Sequence, residues 1–285
     1  MSVIKNKYYR PPLTEEQKKQ QIEKANKKYC DLLTFGNGLV ELRKDIHRNL
    51  ETFNYSHENI VALVIAIIDT CHFRIGNMRY KNKNKSTGIT TLEKTQLKLG
   101  KTQSTIAFKG KKQVENVCHI VEPVINSILL ELVEENIDNN YVFSYKNESG
   151  EFIQITSNDI NNFLDKYYLK NMQIAKNVSA KHFRTWQANT FFIDFIKDLE
   201  VPHNITSTKK NISTAIELTS KQLYHTKAIC KRSYLDPRLI NLYGENPQLF
   251  LELYGSIKTG SPQNFLSNNE QKLLGMLKHL CLVRT

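Results

Sequence analysis

The sequence of 285 residues holds no long apolar run. Its longest, Ile60 to Ile68, is nine residues, too short to span a bilayer, and reads as a buried helix. The amino terminus is polar and basic and has no signal-peptide core. A membrane-surface protein would need an amphipathic basic helix or a lipidation signal, and neither is present. Five cysteines (Cys30, Cys71, Cys118, Cys230, Cys281) are scattered, and none forms a Cys-x-x-Cys pair. Neither a zinc site nor a disulfide framework is therefore expected, and a reducing, intracellular compartment is. No carboxylates cluster as a magnesium site would require. His47, His57, His72, His119, His203 and His279 lack partners at ligand spacing, so no metal and no cofactor is expected. There is no internal repeat at a fixed period.

Acidic residues are also few: 28 against 40 Lys and Arg, a formal charge of +12. Such an excess points to a polyanionic partner, nucleic acid first. The apolar content of 40% supports a real core. The charge is uneven. Arg74 to Lys112 holds eleven Lys or Arg and one acid, Glu93, a net +10. A charge run is ordinarily a solvated face, but here the cations lie among Tyr80, Ser86, Thr87 and Thr90, side chains that hydrogen-bond phosphate.

Residues 1 to 13 read as an extended arm. Thr14 with Glu15-Glu16 marks a helix start, running to about Leu33. Gly36 to Gly38 is expected to break it, with a second helix over Leu39 to Leu50. Ser56 caps a third, from His57 to about Phe73. Strand-like alternation follows over Ile89 to Leu92, Gln96 to Leu99, Ser104 to Phe108 and Val114 to Val121. Turn signals lie at Gly100-Lys101 and Lys109-Gly110-Lys111. A small antiparallel sheet with a lysine-tipped hairpin is expected at about 89–121. Beyond Pro123 helices are expected over Val124 to Val133, Asn158 to Lys170 (capped by Ser157), a Ser179-capped segment to about Leu199, Thr206 to Tyr224, Gln248 to Ile257 and Ser267 to Leu282. The fold class is mainly α with a small antiparallel sheet (α+β).

One stretch suggests chemistry. In Leu223 to Pro237, Tyr234 follows His225 by nine positions, with Lys231-Arg232 between them. A tyrosine oxygen is a poor nucleophile at neutral pH, its pKa being about 10. Neighbouring cations favour the phenolate and neutralise a phosphate under attack. Arg74, which opens Arg74-Ile75-Gly76-Asn77, Lys111 at the hairpin tip, and Lys181 with Arg184 one helical turn apart complete a phosphate-directed set. Trp186 reads as a core anchor.

In their order, Arg, Lys, Lys-x-x-Arg, His, then Tyr, these residues resemble the catalytic domain of type IB DNA topoisomerases of the small poxvirus-like and bacterial kind. Arg74 to Tyr80 with Thr87 to Leu92 resembles that family's first-arginine motif and following strand. Phe108-x-Gly110-Lys111 is similar to its hairpin lysine motif, and Ser179 to Trp186, with Asn189 beyond, to its second-arginine helix. Lys28 to Gly36 resembles the entry to its catalytic domain, so the resemblance runs from about residue 15 to the end. It implies that Tyr234 forms a 3′-phosphotyrosyl link while Arg74, Arg184 and His225 donate to the non-bridging oxygens. It implies Lys111 as general acid, with Lys181 a second acid candidate or phosphate anchor. It also implies supercoil relaxation without ATP or metal, by a monomer acting on double-stranded DNA. Lys181, Asn189, Asn77, Arg79, Tyr80, Lys83, Lys85 and Thr87 are then expected to contact that DNA. The family's small β-rich amino-terminal clamp domain is expected to be missing, trimmed or replaced, since only about fourteen residues precede the first helix.

A tyrosine recombinase shares the chemistry. There the second arginine follows a histidine by three positions, a place held here by Lys181, with His182 two away. An inactive DNA-binding module with a vestigial site is the third reading.

Overall fold

The computed structural model describes residues 14–135, 139–172, 178–261 and 265–282; the expected arm at 1–13 lies outside them. Helix α1 runs unbroken over Glu15–Glu51. Thr14 caps it: its hydroxyl accepts from Gln17 N, and the Gln17 side chain returns to Thr14 N. Leu32, Phe35, Leu39, Leu42 and Ile46 recur at helical spacing and are buried. The apolar helix α2, His57–Cys71, packs beside it and is buried almost all round. Then follow α3 (Met78–Asn84), strands β1 (Leu97–Lys98), β2 (Ser104–Lys109) and β3 (Glu115–Ile120), and α4 (Pro123–Glu135). The three strands form one antiparallel sheet in sequence order, with Ser104 opposite Ile120 and Lys109 opposite Glu115. A short hairpin, β4 (Ser144–Lys146) and β5 (Phe152–Gln154), precedes α5 (Ser157–Met172). The remainder is helical: α6 (Lys181–Lys197), α7 (Ile205–Gln222), α8 (Lys227–Ser233), α9 (Pro237–Glu245), α10 (Pro247–Ser256) and α11 (Asn268–Leu282). Among the described residues no helix is long and apolar enough to cross a membrane.

The mainly helical class with a small antiparallel sheet holds, and several local expectations do not. Gly36 to Gly38 break nothing, because these glycines serve packing. A Cβ on Gly36 would lie 2.3 Å from the Trp186 ring, which is buried and donates its indole N–H to Glu270 at 2.9 Å. Glu270 and Asp69 both receive Arg43 of α1, at 2.8 and 2.6 Å, so one paired network joins α1, α2, α6 and α11. Ala outranks Gly as a helix former by about 1 kcal/mol, whereas overpacking a core costs about 1–3 kcal/mol. Gly36→Ala is therefore expected to destabilise the fold, and urea unfolding decides the sign.

The strand expected over Ile89 to Leu92 is instead a 3-10 turn, Ile89–Thr91, closed by Thr91 N to Gly88 O and Leu92 N to Ile89 O, while Ile89 N and Thr90 N bond to the Arg74–Ile75 segment. Ser179 does not cap α6 through its side chain; its backbone N–H instead donates to His182 Nδ1 at 3.1 Å. The sequence pattern carried no expectation of helices α3, α8 and α9 or of the β4–β5 hairpin.

The expectation of no disulfide is also overturned. Cys30 of α1 is bonded to Cys281 of α11, and Cys71 to Cys118 of β3, while Cys230 is free and buried. Their partners stand 251 and 47 positions apart, and pairing at that range comes from tertiary contact, to which motif spacing is blind. The argument for a reducing compartment loses its basis with it.

Candidate active site

Four backbone devices bring the expected residues together. At the end of α2, His72 turns left-handed at φ 57° with its N–H bonded to Ile68 O. Phe73 then plugs the core and releases Arg74 to the surface of a cleft. Immediately beyond, Gly76 crosses Gly88 so closely that a Cβ on Gly88 would lie 2.3 Å from Gly76 Cα. Ile89 N and Thr90 N bond to Arg74 O and Ile75 O at 2.9 and 2.8 Å. The two short motifs of the sequence are thus one crossing, and its tightness requires glycine on both sides.

The β2–β3 hairpin presents Lys111. Gly110 N bonds to Val114 O at 2.8 Å, and Lys112 and Gln113 are both left-handed, at φ 63° and 60°. The Gln113 amide donates to Asn84 O and Lys85 O at 3.2 and 3.3 Å. That amide ties the tip to the end of α3.

On α6, Arg184 is only 3% exposed, and Lys181 stands one turn earlier at the exposed edge. From α7 the chain passes Leu223 and a left-handed Tyr224 (φ 53°) to His225, whose N–H bonds to Ser220 O at 2.8 Å. Helix α8, capped by Thr226, then delivers Tyr234 as its last, non-helical residue.

Arg74, Lys111, Lys181, His225 and Tyr234 line one cleft of about 390 Å³. Arg184 lies beneath them. Its guanidinium donates to His72 O, to Leu223 O at 2.6 Å, and to His225 Nε2, and its carbon stands 5.7 Å from the centre of the Tyr234 ring. The His225 and Tyr234 rings stack at 4.2 Å. Three buried polar atoms here, Arg74 Nη1, Arg184 Nε and His225 Nδ1, have no hydrogen-bond partner among the described residues.

The charges act on one another. Burial by itself raises the Tyr234 phenol, but Arg184 and Arg74, with Lys181 behind them, outweigh it and bring the pKa below the usual 10. Burial, with repulsion from Arg74, lowers Arg184 to about 10, still a cation at neutral pH. His225 is driven down to about 2 by burial, then by Arg184 and Arg74, so its imidazole is neutral. With Nε2 accepting from Arg184, its proton lies on Nδ1.

His72 is likewise lowered to about 4 by burial. The unfolded chain takes up these protons near pH 6.5 and the folded chain does not. Stability is thus fully present above about pH 6.5 and declines as the pH falls from there toward 2. Thermal unfolding between pH 7.5 and 4.5 is expected to show this decline. Imidazole NMR should find His225 uncharged down to pH 5; a titration near 6.5 would contradict the geometry.

A neighbouring groove of about 570 Å³ shares Arg74 and Lys111 with the cleft and adds Asn77, Tyr80 and Thr87. Asn77 caps α3, accepting from Arg79 N at 2.9 Å, and Thr87 N bonds to Lys109 O. Arg79, Tyr80, Lys83 and Lys85 are exposed on and just after α3. One expected DNA contact is corrected. Asn189 is fully buried; its amide donates to Tyr234 O at 3.0 Å and its carbonyl accepts from Asp236 N at 2.7 Å. It holds backbone, and its single polar letter in a buried helix face was the signal for that. Asp236 with its ion pair to Arg238 at 2.7 Å and the pair Lys28–Tyr29 were given no role by sequence reasoning. Among the described residues no group of three or more His, Cys, Asp or Glu is placed to hold a metal ion.

A phenol among guanidinium, ammonium and imidazole donors beside a basic groove suits chemistry on a phosphodiester. Residues 15–243 match the family described as eukaryotic DNA topoisomerase I, catalytic core. The chain is 30% identical over 244 residues to DNA topoisomerase 1B of Acanthamoeba polyphaga mimivirus, covering 84% of this chain and 70% of that protein. It is 24% identical over 205 residues to DNA topoisomerase I of Monkeypox virus, covering 70% of this chain and 58% of the relative. To DNA topoisomerase 1 of Mycosarcoma maydis it is 27% identical over 177 residues, 56% of this chain and 16% of the relative. The chain therefore belongs to the type IB DNA topoisomerases, enzymes that relax supercoiled duplex DNA through transient cleavage and rejoining of one strand. The recombinase reading finds no support among these relatives.

Proposed function

We propose that Tyr234 is the nucleophile of this topoisomerase and that the cleft around it is the catalytic centre. The Tyr234 oxygen, giving up its proton to water, attacks a backbone phosphorus in line, an O–P bond forms, and the P–O5′ bond breaks, leaving a 3′-phosphotyrosyl link and a 5′-hydroxyl. Arg74, Arg184 and His225 donate to the non-bridging oxygens, and Lys111 gives its proton to the departing 5′-oxygen. Lys181, at the cleft edge with its ammonium 6.0 Å from the Tyr234 ring, anchors the phosphate. Rejoining reverses these steps, so the bond energy is conserved and neither ATP nor a metal is called for. Asn77, Arg79, Tyr80, Lys83, Lys85 and Thr87 follow the backbone of the duplex beside the cleft. Residues 14–285 act as one catalytic domain, as a monomer, wherever in the cell their duplex lies.

The observation that carries this reading is the group of unpartnered buried donors, Arg74 Nη1, Arg184 Nε and His225 Nδ1, gathered around the stacked ring of Tyr234. Leaving buried donors unsatisfied costs about 1–3 kcal/mol each, a cost that anionic oxygens at that point would remove. The test is relaxation of a supercoiled plasmid in EDTA without ATP, with the trapped adduct mapped to one strand end. Relaxation with protein on the 3′ end supports the assignment. Protein on the 5′ end, or relaxation only with ATP or magnesium, would overturn it.

A further inference from the structure

Tyr234 stands in a gap between two helices. Helix α8 stops at Ser233 and α9 starts at Pro237, capped by Asp236. The last carbonyls of α8 have no partners within their own helix, and a residue outside helical geometry has no helix to fix the direction of its side chain. The gap is nonetheless tied at every step. Lys28 Nζ of α1 donates to Ser233 O at 2.9 Å and to Tyr29 Oη at 2.9 Å. Tyr29 Oη in turn donates to Leu235 O. Asn189 takes the carbonyl between them, Tyr234 O, together with Asp236 N. Three successive carbonyls around the nucleophile are thus each held by a side chain 205, 45 or 206 positions away.

Neither α1 side chain lines the cleft. Tyr29 is 2% exposed and Leu235 1%, and Lys28 opens on a separate groove, so the bracket reaches Tyr234 through backbone and not from the cleft. Tyr29 is a poor candidate for chemistry of its own, since burial, then Asp236, raise its phenol well beyond the ordinary range.

We propose that Lys28 and Tyr29 are positioning residues for Tyr234, holding the Ser233–Leu235 backbone so that the phenol points along the line of attack before DNA arrives. This rests on Tyr234 being the nucleophile. Once the phosphotyrosyl bond exists, phosphorus itself holds the oxygen, so the bracket matters for cleavage far more than for rejoining. A misplacement of about 1 Å costs on the order of 100-fold in rate. A change in leaving group leaves that loss in place, because it arises on the attacking side.

The test uses the full chain on a suicide duplex, whose short 5′-hydroxyl strand leaves after cleavage, so that a single turnover is read. Lys28→Met and Tyr29→Phe are expected to slow cleavage at saturating DNA by about 10- to 100-fold. Rejoining by the preformed adduct and DNA affinity should stay close to wild type, while the melting temperature falls by about a few degrees because each variant leaves a carbonyl without its donor. Lys28→Arg, which restores a donor, should recover most of the rate. A duplex with sulfur in place of the scissile 5′-oxygen should leave the Lys28→Met defect in place.

Three results would overturn the proposal alone while wild-type protein cleaves normally. One is an undiminished cleavage rate in both variants. Another is weaker DNA binding with an unchanged rate at saturation, which would make Lys28 a phosphate contact. The last is an equal fall in cleavage and rejoining, with no rescue by arginine. Absence of any adduct from wild-type protein would instead overturn the catalytic reading beneath it.

Discussion

Tyr234→Phe is expected to bind DNA as wild type does and to form no covalent adduct. The phenylalanine ring keeps the place of the tyrosine against His225, stacked at 4.2 Å, and the basic residues of the cleft and of α3 are untouched. What is lost is the one oxygen that Arg184 and Arg74 draw below its ordinary pKa. Removal of a nucleophile elsewhere costs about 10⁶-fold, and a loss on that scale takes relaxation below detection in any plasmid assay. The variant also carries its own control. Tyr224 lines the same cleft, but its hydroxyl is committed to Val117 O. An adduct persisting in Tyr234→Phe would mean that another oxygen, Tyr224 first, attacks the phosphate, and the assignment would fall.

Lys111→Ala is expected to slow cleavage of an ordinary duplex by about 10²–10⁴-fold, the range of a lost general acid. On a duplex carrying sulfur at the scissile 5′ position the same variant should cleave within about tenfold of wild type, because a thiolate, with pKa about 8.5, departs without a proton. The geometry favours Lys111 for this role. The residue is exposed at the mouth of the cleft, on a tip whose two following residues are held left-handed and whose Gln113 is tied to the end of α3. A non-glycine residue in that region is uncommon, and two in succession describe a loop whose path is dictated. Sulfur rescue of Lys181→Ala in place of Lys111→Ala would transfer the acid role to α6.

The candidate site was legible in the sequence through the order of its residues and not their rarity: Arg74, Lys111, Lys181, Arg184, His225 and Tyr234 come to one place. Helix α2 was legible as an apolar run behind a serine cap, and α1 as a capped start at Thr14, although the Leu32, Phe35, Leu39, Leu42, Ile46 series was read as two helices. What escaped has a common physical cause. Gly36 reads as a breaker by propensity, and only the Trp186 ring pressed against it shows that it is a packing residue. Cys30 and Cys281 come from opposite ends of the chain. Lys28, Tyr29 and Asn189 bind main-chain carbonyls, which every residue possesses and no letter announces. Contacts to such groups leave no partner residue to look for, so the Asn189 side chain could be taken for a DNA contact while it held the chain at Tyr234.

The length of α1 has a mechanical meaning. At 37 residues it is a rod of about 55 Å. Near its middle it is joined to the Ser233–Leu235 backbone by Lys28 and Tyr29, and to α11 through Cys30. Farther along, Arg43 clamps it to α2 and α11. While a cleaved strand swivels, drag on the duplex pulls on the protein through a single phosphotyrosyl bond. That tension enters at Tyr234, passes through three carbonyls, and is taken up along a helix with no hinge in it. On the proposed mechanism, with Tyr234 as the tether, such a strut would keep the 3′ end still while the free end turns, so that the two ends meet again in register.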